Sequence, residues 1–229
     1  MTRHLAWVYL AGLACGPAAL AAEPPVPPVD LPAADDAPPD LALAAACLER
    51  GEETAAVAYL TRHVAAHPNQ PLVRAYLADL LWRRDRLADA KVQYERFLDD
   101  AQVSSLDPAR QIHAHTRLMA IAQHDADAYA EHLHRGIGLY LIARQSADDP
   151  AAAEGLLCKA AGELTLAQRA RPDEARPHWY LHLVWSRLGL SQSAARSLCR
   201  AVETADLSDL SPAERRDLSL AAADRPRGR

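Results

Sequence analysis

The chain has 229 residues, half of them apolar, with a single Phe and four Trp, so Ala and Leu carry most of its hydrophobicity. That length suffices to bury a core as one domain or one solenoid. An Ala, Leu, Arg and Glu bias with few β-branched runs favours helix over strand, and the mild, mixed charge of −5 offers no basic face for nucleic acid.

Residues 1–22 read as an export signal. Arg3 and His4 precede an apolar run over residues 5–14, shorter than the roughly 20 residues that cross a bilayer. Ala19-Leu20-Ala21 is a small-residue cleavage pattern. The expectation is cleavage near Ala21 and Ala22, a periplasmic or extracellular location, and no transmembrane span in the mature chain. A second reading lipidates Cys15, since Leu13-Ala14-Cys15 looks like part of a lipoprotein signal, although Gly12 stands where those signals prefer Leu.

Residues 23–39 hold seven prolines. Proline fixes φ and donates no hydrogen bond, so this stretch reads as an extended, disordered linker without a core of its own.

From residue 40 the text becomes helical and repetitive. Ala56 recurs 34 residues later as Ala90, and Ala160 recurs 34 residues later as Ala194. Four residues beyond each lies a larger apolar side chain: Leu60, Tyr94, Leu164 and Leu198. Leu43, Leu77 and Leu181 mark the helices that come before. Gly51, Asp85 and Gly189 stand at the turns between paired helices, and Pro68 and Pro172 close the pairs. A small Ala in the second helix lets the first approach, and the larger residue one turn on fills the gap. Gly accepts a positive φ after a helix, and Pro ends one. Each hairpin leaves an apolar side uncovered, so such units stack.

A 34-residue period with small Ala, a following large residue, turn Gly and closing Pro resembles the tetratricopeptide repeat family. The resemblance covers residues 40–102 and 155–206 and fails over 103–154. It implies an all-α fold for residues 40–223, a right-handed superhelical solenoid with an irregular central section. Ser211-Pro212-Ala213-Glu214 is a capping box with proline in the first turn, and it starts a C-terminal capping helix. Residues 224–229 read as a disordered charged tail.

The central section has its own signals. Asp107-Pro108 starts a helix expected to reach Gln123, with a turn over His124-Asp125-Ala126-Asp127. A second helix follows with Tyr129, Leu133, Ile137 and Leu141 on one face. Gly136 and Gly138 within it cost helix propensity, about 1 kcal/mol each, which a close helix crossing would explain. Asp149-Pro150 then interrupts the chain where a first helix should continue.

Histidines are the one concentration of reactive side chains. His113, His115, His124, His132 and His134 cluster centrally, and His178 and His182 lie four apart, on one face of a helix. Trp179 stands where a metalloprotease helix would carry Glu. A metal site for zinc, copper or nickel would draw on His115, His124, His132, His178 and His182, with His115 or His124 facing His132 across a hairpin. Hydrogen-bonded or solvent-facing histidines are the alternative. There is no GxSxG, Gly-rich phosphate loop or CxxC, so no catalysis and no cofactor are expected.

Three cysteines follow the signal: Cys47, Cys158 and Cys199. If two pair, Cys158 and Cys199 are the better placed, in neighbouring repeats; otherwise all serve as small hydrophobes.

The resemblance also implies a binding surface. First helices of the family line a concave groove for peptides or partner helices, which here maps onto Ala75, Asp79, Trp82 and Arg83, then Arg176, Trp179, Leu183, Ser186 and Arg187. Family members that clamp a C-terminal carboxylate use Asn and Lys there, and this sequence has neither at those groove positions. Trp and Arg are the usual energetic anchors of interfaces, although Trp82 and Trp179 could equally fill space between repeats. The functional expectation is an exported scaffold binding a protein or peptide in a bacterial cell-envelope or extracellular assembly, with self-association through the repeat ends as a further possibility.

Overall fold

The structure is a computed structural model that describes residues 38–100, 108–146, 148–208 and 210–224. The signal segment, nearly all of the proline-rich linker, Asp107 and the tail beyond 224 lie outside the described residues. Among the described residues the protein is all-α, with ten α-helices and one 3-10 turn and no strand. They fall into two compact units, 38–100 and 108–224.

The first unit contains α1 (Pro39–Glu49), α2 (Glu53–Ala66), α3 (Pro71–Arg83) and α4 (Leu87–Asp99), each packed on the next. The second contains α5 (Pro108–His124), α6 (Ala128–Gln145), α7 (Pro150–Ala170), α8 (Ala175–Arg187), α9 (Ser191–Thr204), the 3-10 turn Ala205–Leu207 and α10 (Pro212–Ala223), again packed in chain order.

Four hairpins, α1/α2, α3/α4, α5/α6 and α8/α9, are closed by one and the same turn. Its left-handed residue is Gly51 (φ +73°), Asp85 (+57°), Ala126 (+56°) or Gly189 (+73°). The N–H of the next residue reaches back five positions: Glu52 to Cys47, Arg86 to Leu81, Asp127 to Ala122 and Leu190 to Trp185, each at 2.8–2.9 Å. The left-handed residue itself donates three positions back, to Leu48, Trp82, Gln123 and Ser186. This is the Schellman arrangement, which satisfies carbonyls the helix end would otherwise leave open. Glu52, Arg86, Asp127 and Leu190 share a φ of −85° to −88° before the second helix begins. Gly51, Asp85 and Gly189 are the turn residues the sequence spacing indicates; Ala126 carries no such signature.

The packing pairs are also in place. Ala56, Ala90, Ala160 and Ala194 are buried, as are Leu60, Tyr94, Leu164 and Leu198 one turn further along. Burying a side chain the size of Leu contributes about 1.5–3 kcal/mol. Leu43 departs from the pattern: it is 45% exposed, while Leu41, Ala44 and Cys47 form the buried stripe of α1. Leu77 in α3 is covered by α2 and α4, whereas α1 packs closely on α2 alone among the described helices.

A longer correspondence runs through the chain. Residues of α2 to α4 reappear in α7 to α9 exactly 104 positions on: Pro68 as Pro172, Leu77 as Leu181, Asp85 as Gly189, Tyr94 as Leu198. The two frames part at the start. Gly51 makes a turn, but its counterpart Gly155 lies inside α7. Asp149 caps that helix by accepting from the Ala152 N–H at 3.0 Å, and Pro150 fixes its first turn, so α7 begins early and runs 21 residues through the place of a turn. The partner helix is therefore α6. Their crossing explains one of the two central glycines: a Cβ on Gly136 would stand 2.7 Å from Leu164 Cγ.

Candidate functional site

The proposed groove residues separate into core, cap and surface. On α3, Asp79 is buried and accepts a hydrogen bond from the Tyr94 hydroxyl of α4, so it joins two helices and faces no groove. Ala75 and Trp82 are half-buried, and Arg83 is exposed, 3.8 Å from Glu53. On α8, Trp179 is 5% exposed and packs with Ala175, Leu198, Ala201, Leu210 and Leu218. It is a core residue, not a surface anchor, because α9 and α10 cover the face on which it lies. Leu183 is half-buried against the same cluster, while Ser186 and Arg187 remain exposed.

Arg176 has a different role again. Its Nε donates to Glu214 Oε2 at 3.1 Å, and the Ser211 N–H donates to that same oxygen at 2.8 Å. The Glu214 N–H returns a bond to Ser211 Oγ at 3.2 Å, completing the capping box of α10. The carboxylate thus closes a helix end and anchors it to α8. Burial, and then Glu214, push the Tyr180 phenol well above its ordinary range.

The histidines expected to share a metal are dispersed. His132 donates from Nδ1 to Glu163 Oε2 at 2.7 Å, and Arg135 bridges Glu163 and Glu131. Burial raises Glu131, but the Gln123 amide and Arg135 more than offset it, so its carboxyl lies below the usual range. His124 is exposed beside Asp125 at 3.1 Å. His178 donates from Nε2 to the Pro172 carbonyl at 3.1 Å, as Arg74, its counterpart 104 positions earlier, donates to the Pro68 carbonyl at 3.1 Å. That shared bond ties each closing proline to the following helix. His182 donates from Nδ1 to the Ala194 carbonyl and stacks on Trp179. His115 meets His134, not His132, with Nδ1 atoms 3.0 Å apart in a buried pair. His113 is buried too. Among the described residues no three His, Cys, Asp or Glu side chains come together as a metal site. Cys47 is buried, Cys199 partly so, and Cys158 lies exposed on α7; no disulfide joins Cys158 to Cys199.

Comparison with protein families, characterised proteins and solved structures found no match.

An open cavity lies in the second unit. It has a volume of about 520 Å³ and opens where the end of α6, the start of α7 and the end of α8 meet. Arg187 lines it, as do Arg144, Ser146, Glu154, Leu157 and Leu188. Of these only Arg187 is among the sequence candidates. Arg144 and Glu154 escaped notice because the sequence does not announce that α6 and α7 form a pair.

Proposed function

We propose that the protein is an exported, non-catalytic helical-repeat scaffold of the tetratricopeptide type, its hairpins stacked into a right-handed solenoid, that binds a protein or peptide in a bacterial cell-envelope or extracellular assembly. The recurrence of one hairpin carries the reading: a single turn geometry at Gly51, Asp85, Ala126 and Gly189, with a buried Ala and a buried large residue behind three of them, Ala56 and Leu60, Ala90 and Tyr94, and Ala194 and Leu198. Repeated hairpins of this kind present extended surfaces rather than enclosed reaction chambers. The export segment at residues 1–22 supplies the location.

The contact residues are those left exposed or half-buried once core and cap are subtracted: Ala75, Trp82 and Arg83 on α3, and Leu183, Ser186 and Arg187 on α8. Trp and Arg concentrate binding energy because they combine large area with directional donors. Arg83 is itself exposed, 3.8 Å from the half-buried Glu53 carboxylate and beside the Tyr76 hydroxyl, and exposed contacts of this kind are worth little to folding.

Affinity purification from cell-envelope extract tests the reading. Wild-type protein should enrich a partner that the triple variant Trp82→Ala, Arg83→Glu, Arg187→Glu does not, with the variant folded by circular dichroism. Equal recovery by both, or no enrichment over control, contradicts it.

A further inference from the structure

We infer that the cavity between the ends of α6 and α8 and the start of α7 is a binding site for a small carboxylate with an apolar body. This ligand class is distinct from the macromolecular partner proposed above. Two observations carry it, and a third supplies a test.

The first is charge. Arg144 and Arg187 come from the last turns of two different helices, line one cavity, and have no ion pair with a carboxylate among the described residues. Arg144 rests over the Tyr140 ring, 5.9 Å from its centroid, and both arginines act electrostatically on the Tyr140 phenol. Two guanidinium groups beside one opening make a planar, directional receptor for a carboxylate. Charge at a helix C-terminus also offsets the exposed carbonyls, and a cavity between the two charges is not needed for that role.

The second is shape. About 520 Å³ lies within the range of small-molecule sites. The buried Leu157 and the half-buried Leu188 give the cavity an apolar wall. A ligand with a short hydrocarbon body has something to cover there, whereas a bare inorganic anion has not.

The third is the single acid. Glu154 lines the same cavity and forms no ion pair with either arginine. Its carboxylate repels a bound anion, so its removal reads the site through a gain.

The test is calorimetric or NMR titration of the full chain with hexanoate, 1-hexanol and inorganic phosphate. Hexanoate should bind saturably at one site per chain, and the alcohol and phosphate each about tenfold more weakly. Arg144→Gln with Arg187→Gln should weaken hexanoate about tenfold or more, and Glu154→Gln should tighten it several-fold. Glu154→Gln keeps both arginines, so it reports on the site even if the double variant folds poorly. Non-saturable hexanoate, equal binding of 1-hexanol or phosphate, or an affinity unmoved by Glu154→Gln and by the folded arginine variant overturns the inference. Arg187 also belongs to the partner surface proposed above, so the two readings are separated by repeating the partner enrichment with Trp82→Ala and Arg83→Glu alone, neither of which lines this cavity.

Discussion

His115 of α5 and His134 of α6 meet Nδ1 to Nδ1 at 3.0 Å inside the second unit. One ring must donate and the other accept, so the pair is complete only with one shared proton. Burial, then His134, then Arg176 hold the His115 imidazole well below its ordinary value of 6.5.

The consequence is a pH dependence with a definite sign. With the folded pKa below the unfolded one, the unfolded chain takes up the proton first as pH falls beneath 6.5. Stability is therefore full above that value and declines as pH drops towards the folded pKa, by up to about 1.4 kcal/mol per pH unit for one proton. Arg176 of α8, which acts on the pair, is itself ion-paired to Glu214 of α10. Urea denaturation between pH 7 and pH 5 should show a steeper loss for wild type than for His115→Gln. Parallel slopes would contradict the assignment.

Two turn residues hold a left-handed conformation with a side chain attached. Ala126→Gly and Asp85→Gly should each stabilise the protein by about 0.5–1 kcal/mol, because glycine removes the Cβ clash of that conformation. Gly51→Ala and Gly189→Ala should cost about 1 kcal/mol each, although nothing lies within 4 Å of the added Cβ. That open space makes the cost conformational, not steric. Chemical denaturation midpoints would read all four, and a stabilising Gly189→Ala would refute the turn argument.

Gly136 poses the opposite case, with a helical backbone and no room. Gly136→Ala should destabilise by about 1–3 kcal/mol, since the new Cβ meets Leu164. Adding Leu164→Ala should recover part of the loss that Gly136 alone incurs, although Leu164→Ala by itself removes a fully buried side chain. A double-mutant cycle with no coupling between the two sites would show that the crossing is looser than described.

The two tryptophans of the α3 and α8 faces should separate cleanly. Trp179→Ala empties a core site and should cost about 3–5 kcal/mol, whereas Trp82→Ala, at a half-buried position, should cost well under half of that. Thermal melts of the two variants check the difference. Similar losses would return Trp82 to the core and weaken its place in the binding surface.

How far these features were legible in the sequence follows from how local their causes are. The paired helices of α1 to α4 and of α8/α9 could be read because Ala, a large residue four on, and a turn residue repeat at fixed spacing. The Ser211–Glu214 capping box was legible for the same reason: its donors and acceptors lie within four residues. Gly136 signalled a close crossing, but not which helix crosses. The turn over residues 124–127 was placed, but not its left-handed residue, since alanine gives no hint of a positive φ. The core role of Trp179 depends on α9 and α10 folding over it, and the junction of Arg144, Glu154 and Arg187 on three helix ends meeting, which no spacing encodes. Leu43 misled because its apolarity outran the cover available to α1.

We propose that the surfaces left on α3 and on α8 each contact a partner. Site-specific photocrosslinking in cell-envelope extract tests it most directly, with the crosslinker at Arg83, at Arg187, or at the exposed control positions Arg216 and Glu203. Crosslinked bands of defined mass from Arg83 and Arg187, absent from both controls, are the predicted result. Bands from the controls alone, or the same pattern from all four positions, would contradict it.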